Sequence, residues 1–298
     1  MKTCRRRSNP VSHPIFKSFR KFWGSGFTDL IAKALRFFNF QRSLLMIQED
    51  FVNIEERVAE QVRPDGSSVM FQRWEELLFL HWAFDPKVIQ ASLPPGLTVD
   101  THGGKGYIGV VPFFMTGVRP RFLPTVPGIS NFQELNLRTY VVDSQGRPGV
   151  WFYSLDTSHR LPVWIARTFF HLNYVWARMS AERTGALITY RSERAGVDAE
   201  QVFIWERTGE RVSAEPGSLE FFLVERYRLF AHDAKRDMLW TGKVHHSPYP
   251  LERVTLNDWS ADLFVLNGVP QPEKPPESVL GVSGVDVEIF PLKKLKHG

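Results

Sequence analysis

The sequence predicts an α+β fold whose core is a mainly antiparallel, barrel-like sheet accompanied by two or three short helices. Three observations predict it. Short runs of alternating or wholly apolar residues recur from residue 70 onward, as in "WEELLFLHWAF" and "GYIGVVPFF", the pattern of strands buried on one or both faces. Helical signals are few and short. Strands and helices do not alternate regularly, which argues against a parallel βαβ sheet and for strands that close on one another.

Taken in order, residues 1–69 read as a basic, aromatic N-terminal extension, poorly ordered or partly helical, and 70–298 as a single domain. The first 45 residues place Phe16, Phe19, Phe22, Trp23, Leu30, Ile31, Leu35 and Phe38 only loosely at helical spacing. They fit a membrane-surface helix, an acid-poor targeting peptide, or an upstream extension with Met46 or Met70 as the natural start. The last reading, or a loose tail, is preferred over membrane contact. From Met70 the domain opens with a strand buried on both faces. Asp85 then caps a helix with Pro86 at its first position, "PPG" stops it, and "GYIGVVPFF" follows as a strand. Residues 117–130, "GVRPRFLPTVPGIS", hold three prolines and read as a stiff loop. Strands are expected at "NFQELNLRTYV" and "GVWFYSLD", then a helix across residues 162–179. Strands at "LITYRSER" and "QVFIWER", a helix from Ser218, and strands through "ERYRLFAHD", "LWTGKVHHSPYPLERV" and "GVDVEIFPL" complete the chain, the last after a proline-rich linker.

Composition narrows the function. At 298 residues, 43% of them hydrophobic, the chain can bury one large core or two modest ones. No apolar run reaches the roughly 20 residues that span a bilayer. The single cysteine, Cys4, lies in the polar tail. It leaves no disulfide framework or cysteine nucleophile in the body, and it fits a reducing, cytoplasmic setting. The net charge of +5 is misleading, because residues 1–28 carry seven Lys and Arg and no acid, which leaves −2 for the remainder. A nucleic-acid partner needs a basic stripe on the folded body, so none is expected.

Several common sites are absent. There is no glycine-rich phosphate loop after a strand, no HExxH and no GxSxG, so no nucleotide cofactor or metal is expected. His245 and His246 are adjacent and on a strand face opposite ways, one packed and one wet. A mononuclear site using one of them with Glu225 or Asp156 is the weaker reading.

The stretches "FLHWAFDPKVIQASLPPGL", "NFQELNLRTYV", "GVWFYSLD", "YRSER", "PGSLEFFLVERYRLF" and "VHHSPYPL" together resemble the bacterial family labelled domain of unknown function 2071, or YqjF-like, from about Trp74 to the last strand. That family is similar to the acetoacetate decarboxylase-like superfamily. The resemblance implies a β-barrel-like core around a small polar cavity, and it assigns no function. Acetoacetate decarboxylase uses a Schiff-base lysine with a lowered pKa, which in that superfamily follows a glutamate on the strand resembling "NFQELNLRTYV". Here Glu134 is present, but Arg138, Thr139, Tyr140 and Val141 stand where the lysine would be, and no lysine occurs between Lys105 and Lys235. Arginine forms no stable imine, so Schiff-base decarboxylation of that type is not expected.

The strand itself suggests a site. Alternation sends Leu135, Leu137, Thr139 and Val141 to one face and Glu134, Asn136, Arg138 and Tyr140 to the other. Glu134 and Arg138 would then be about 13 Å apart and would need separate partners. A buried Arg138 must meet a carboxylate, from Glu225, Asp156 or a ligand. The expected site therefore binds a small anionic carboxylate or carbonyl compound. Arg138 anchors it, Asn136 and Tyr140 orient it, Glu134 and Tyr140 are the catalytic candidates, and Asp156, Glu225, His246 and Arg119 are further contacts. Against this stand the simpler roles: Arg119 as a solvated loop charge, Asp156 as a helix cap, and the whole polar face as an internal ion-pair network. In that case the protein is a non-catalytic ligand sensor or structural module. An assembly of identical subunits is compatible with either reading.

Overall fold

A computed structural model of the chain describes residues 52–159 and 171–295. The chain divides into Met1–Glu49 and Asp50–Gly298. The first unit, and with it the readings made for residues 1–45, lies outside the described residues.

The second unit begins well before the expected boundary at residue 70. Asn53 accepts from the Glu56 amide at 2.7 Å and so caps α1 (Ile54–Ala59), satisfying one of the free amides of a first helical turn. Val52 and Arg57 are buried, and Arg57 reaches Asp100, 43 residues away. Then follow β1 (Met70–Phe84), α2 (Pro86–Gln90), β2 (Leu97–Val99), β3 (Gly106–Pro120), β4 (Phe132–Asp143) and β5 (Pro148–Thr157). After the gap come β6 (Tyr174–Thr184), β7 (Leu187–Arg194), β8 (Glu200–Arg211), α3 (Leu219–Val224), β9 (Arg228–Asp233) and β10 (Met238–His245). The chain ends with β11 (Leu251–Trp259), α4 (Asp262–Leu266), β12 (Ser278–Ile289) and β13 (Lys293–Lys294). The expected Asp85 cap forms, its side chain accepting from Lys87 N at 2.8 Å, and the helix expected from Ser218 is capped by that residue, which accepts from Phe221 N at 3.1 Å.

Two expectations are corrected. The helix read across residues 162–179 falls partly outside the described residues, and from Tyr174 the chain is a strand, paired with β5 on one side and β7 on the other. Good helix formers such as Ala177, Arg178 and Met179 are overruled there by two ready-made sheet edges. The strand expected to end near Phe114 continues to Pro120, opposite Met70. Proline is tolerated there because a strand's last residue can dispense with its amide.

The thirteen strands form one sheet, in the order β13-β10-β9-β5-β6-β7-β8-β11-β12-β1-β3-β4-β2, with extra pairings of β10 to β12 and β5 to β4. Those extra pairings close it. One ring runs β4-β5-β6-β7-β8-β11-β12-β1-β3, and a smaller ring replaces β6, β7, β8 and β11 by β9 and β10. The sheet forks because β5 gives its first half to β9 and its second half to β6, both in parallel. Likewise β12 meets β11 in its middle and β10 at its end. All other pairings are antiparallel.

The five shared strands consequently bury both faces, so β4 buries its polar members Glu134, Asn136 and Arg138 as well as its leucines. On one face Leu78, Leu80, Ile108, Val110, Leu135 and Leu137 pack with Tyr190, Phe203 and Trp205 from the larger ring. On the other, Leu77, Phe79, Tyr107, Val111, Phe113 and Tyr140 pack with Phe222 and Leu223 of α3 and with Val244 and Tyr249. Each such fully buried aliphatic or aromatic side chain contributes about 1.5–3 kcal/mol. No helix among the described residues is long and apolar enough to cross a membrane.

Candidate functional site

The alternation of β4 sets the site. Its polar members face the α3 side: Asn136 is opposite Val111 and Arg138 opposite Gly109 on β3. Gly109 is required at that position. A β-carbon there would come within 2.9 Å of His81 and 3.4 Å of the Tyr140 hydroxyl, so its absence lets the β1 histidine reach across β3 to β4.

His81 Nε2 lies 2.6 Å from the Tyr140 hydroxyl, and Arg138 Nη2 donates to the same oxygen at 3.4 Å. Burial, reinforced by the charges of Arg138 and Arg226, holds His81 neutral well below its ordinary range. The His81–Tyr140 bond forms with either group as donor, and the tautomer that fixes this also fixes whether Nδ1 carries a proton. Among the described residues that Nδ1 has no partner, and neither has Arg138 Nε nor Arg226 Nη2. The three groups surround one ring: from the Tyr140 centroid, Arg138 is at 5.6 Å, Arg226 at 4.8 Å and His81 at 5.9 Å. Leaving the two guanidinium nitrogens without acceptors costs about 1–3 kcal/mol each.

Three arginines and one aspartate supply the charge of the cluster. Arg226 donates to Asp100 at 2.7 Å, and Arg57 clasps the same carboxylate with two bonds of 2.7 Å. Burial pushes Asp100 up, but Arg226 and Arg57 outweigh it and hold the carboxyl below its ordinary value. Arg226, pulled down to about 10 by burial, remains a cation. Arg138, 7% exposed, makes no ion pair among the described residues. It also donates to the Leu223 carbonyl at 3.3 Å.

Neither internal carboxylate expected for Arg138 meets it. Asp156 sits opposite Leu135 and so on the other face of the sheet, where Arg194 holds it at 2.6 and 2.8 Å. It is a strand residue bound to β7 and not a helix cap. Glu225 accepts from the Tyr227 hydroxyl and, at 3.1 Å, from the Tyr249 amide. Burial raises its pKa against those bonds.

The remaining candidates divide. Tyr140 is in the cluster. His246 borders it, stacked between Tyr227 at 4.5 Å and Tyr249 at 4.3 Å. Its Nδ1 donates to the Ser247 carbonyl at 2.8 Å, and its Nε2 is unpaired among the described residues. Glu134 forms a second group on the same face, accepting from Tyr174 at 2.8 Å. Burial lifts it to about 7, against bonds from Tyr174 and Asn136 and with help from the Asp156 charge. The Asn136 carbonyl oxygen is likewise unpaired among the described residues. Arg119 is not brought to the chamber: ten residues along β3 from Gly109, roughly 30 Å away by strand rise, it lies over the Phe71 ring at 4.7 Å. Sequence reasoning missed His81, Arg226, Asp100 and Arg57. The available signal was one histidine and one aspartate beside apolar strands. Among the described residues no group of three His, Cys, Asp or Glu is placed to hold a metal.

The space bounded by Arg57, Glu60, Phe222, Glu225, Arg226 and Tyr227 amounts to about 10 Å³, room for about one water.

The profile of DUF2071, described as an uncharacterized conserved protein, matches residues 71–286. The chain is also 39% identical over 233 residues to the uncharacterized protein YqjF of Bacillus subtilis, covering 78% of this chain and 94% of that one. The chain belongs to the DUF2071 family. Among solved structures, this family member is similar to the acetoacetate decarboxylase of Legionella pneumophila, with a TM-score of 0.56 at 12% identity, covering 82% of this chain and 96% of that one. It is also similar to an acetoacetate decarboxylase-like enzyme from Sphingomonas wittichii, with a TM-score of 0.54 at 13% identity over 78% and 95% of the two chains. A third is the enduracididine biosynthesis enzyme MppR, solved with a condensation product of pyruvate and imidazole 4-carboxaldehyde, with a TM-score of 0.55 at 15% identity over 77% and 90%. These likenesses establish an acetoacetate decarboxylase-like barrel fold for the DUF2071 chain. They carry no chemistry across, and β4 holds Arg138 and no lysine.

Proposed function

We propose that the chamber around Tyr140 binds a small carboxylate or carbonyl compound, and that any turnover there proceeds without a lysine imine. One observation carries this reading: Arg138 is buried and charged, and no carboxylate among the described residues answers it. A ligand carboxylate supplies the missing partner through Arg138 Nε and Arg226 Nη2, and His81 Nδ1, in the tautomer that protonates it, donates to a carbonyl oxygen. Tyr140 and His81, already sharing a proton at 2.6 Å, form the acid/base pair beside the anchor. Glu134, about 13 Å along the strand, acts only on a ligand that spans both groups, with Asn136 between.

The second reading, a non-catalytic sensor or structural module, is favoured by the closed Arg57–Asp100–Arg226 arrangement. A thermal-shift screen of the full chain with small keto acids, hydroxy acids and sugar acids separates the two. A ligand at about 100 times its Kd adds about 2.7 kcal/mol, or roughly 5–10 °C for a domain of this size. Arg138→Met should lose that shift while retaining stability, because it removes an unpaired cation. A variant weakened by about 3–5 kcal/mol, as when a buried pair is broken, together with no shift on any ligand, would establish the network reading instead.

A further inference from the structure

The proline loop that the chamber does not use has its own signature. Phe122 is 89% exposed, Leu123 58%, Val126 47% and Ile129 43%. A lone exposed apolar residue is ordinary, but four large ones within eight positions make a patch. The loop is not loose. Ser130 N donates to the Val126 carbonyl at 2.9 Å, and Val126 N donates to Ser130 Oγ at 2.8 Å. Val118 N is tied to the Ser130 carbonyl at 3.0 Å, and Gly117 N to Asn131 Oδ1 at 2.9 Å. Arg121 N bonds the Val69 carbonyl at 2.9 Å, which adds half-exposed Val69 to the base of the patch. Three prolines, Pro120, Pro124 and Pro127, stiffen the span further. The apolar side chains are therefore held out into solvent by the fold.

The charge around the patch has one sign. No aspartate or glutamate occurs from residue 101 to residue 133. Arg119 and Arg121 flank the patch, and neither forms an ion pair among the described residues. The acids on adjoining strands are already engaged, Glu75 and Asp286 by Arg73 and Glu288 by Arg63. Arg121 lies over the Phe122 ring at 5.7 Å from its centroid. A rigid apolar tip with guanidinium groups outside any ion pair at its base matches an anionic bilayer, whose interface accepts aromatic and aliphatic side chains while its headgroups attract cations.

We propose that residues 119–129 dock the protein on an anionic membrane surface, with Phe122 and Leu123 inserted among the acyl chains and Arg119 and Arg121 at the phosphates. This inference is independent of the chamber reading. It is tested with the full chain by co-sedimentation with phosphatidylcholine vesicles, with and without phosphatidylglycerol. Because residues 1–28 supply seven further cations and no acid, the variants are confined to the loop. Phe122→Ser with Leu123→Ser should lower partitioning about tenfold or more. Arg119→Gln with Arg121→Gln should lower it about fivefold per guanidinium, on anionic vesicles only, and salt should abolish that difference. Both pairs are surface changes, so an unaltered melting temperature accompanies each. Undiminished partitioning of the Phe122/Leu123 variant, or none by the parent chain, overturns the proposal. So does lipid-free self-association that this variant abolishes, because the patch is then covered by a second copy.

Discussion

Replacing Glu134 by glutamine should make the protein more stable at neutral pH and change little in acid. The amide that Glu134→Gln introduces keeps an oxygen to accept from Tyr174, which now bonds the carboxylate at 2.8 Å, and removes the titration. The folded chain holds the Glu134 proton up to about 7, whereas an ordinary glutamate releases it near 4.5. Between those values the folded state binds more protons than the unfolded state, so stability falls as pH rises through the window. At about 1.4 kcal/mol per pH unit, the loss amounts to about 3 kcal/mol. Other groups titrate over the same range, so the informative quantity is the difference between variant and parent. Equilibrium urea unfolding of both chains, at several pH values across the window, measures it. The difference should grow by about 3 kcal/mol from acid to neutral and then level off. Two parallel curves would refute the reasoning, because they would mean that Glu134 carries the same charge in the folded and unfolded chains.

Two further outcomes follow from the same geometry. His246, lowered to about 4 by burial from an ordinary 6.5, contributes stability that is lost as pH falls through that interval. His246→Phe, which keeps the stack between Tyr227 and Tyr249, should flatten that acid limb in urea titrations. Asp100→Asn leaves Arg57 and Arg226 buried without their shared carboxylate and should cost about 3–5 kcal/mol, read as a fall in urea midpoint at unchanged m.

Much of the fold is legible locally. The alternation of β4, the cap at Asp85 and the helix start at Ser218 depend on neighbours within a few residues, and these are correct in the sequence. Residues 174–179 fail because β6 owes its form to β5 and β7, which no local pattern encodes. The site follows the same division. Local alternation finds Arg138, Asn136 and Tyr140. His81 joins them only because Gly109 opens a passage between β1 and β4, and Arg226 only because Asp100 is clasped from two distant elements. Asp156 misleads because its face of the sheet is decided by its register with Leu135.

The fork in the sheet also determines where the strand ladders are shortest. The smaller ring leaves the shared wall through two residue pairs from β5 to β9 and two from β10 to β12, and the larger ring through three from β5 to β6 and two from β11 to β12, whereas β1 and β12 share eleven. Each branch therefore joins the shared wall through few ladder hydrogen bonds. The long ladders β12–β1, β1–β3, β3–β4 and β4–β5 lie within the five shared strands, so both rings are built against one well-paired wall.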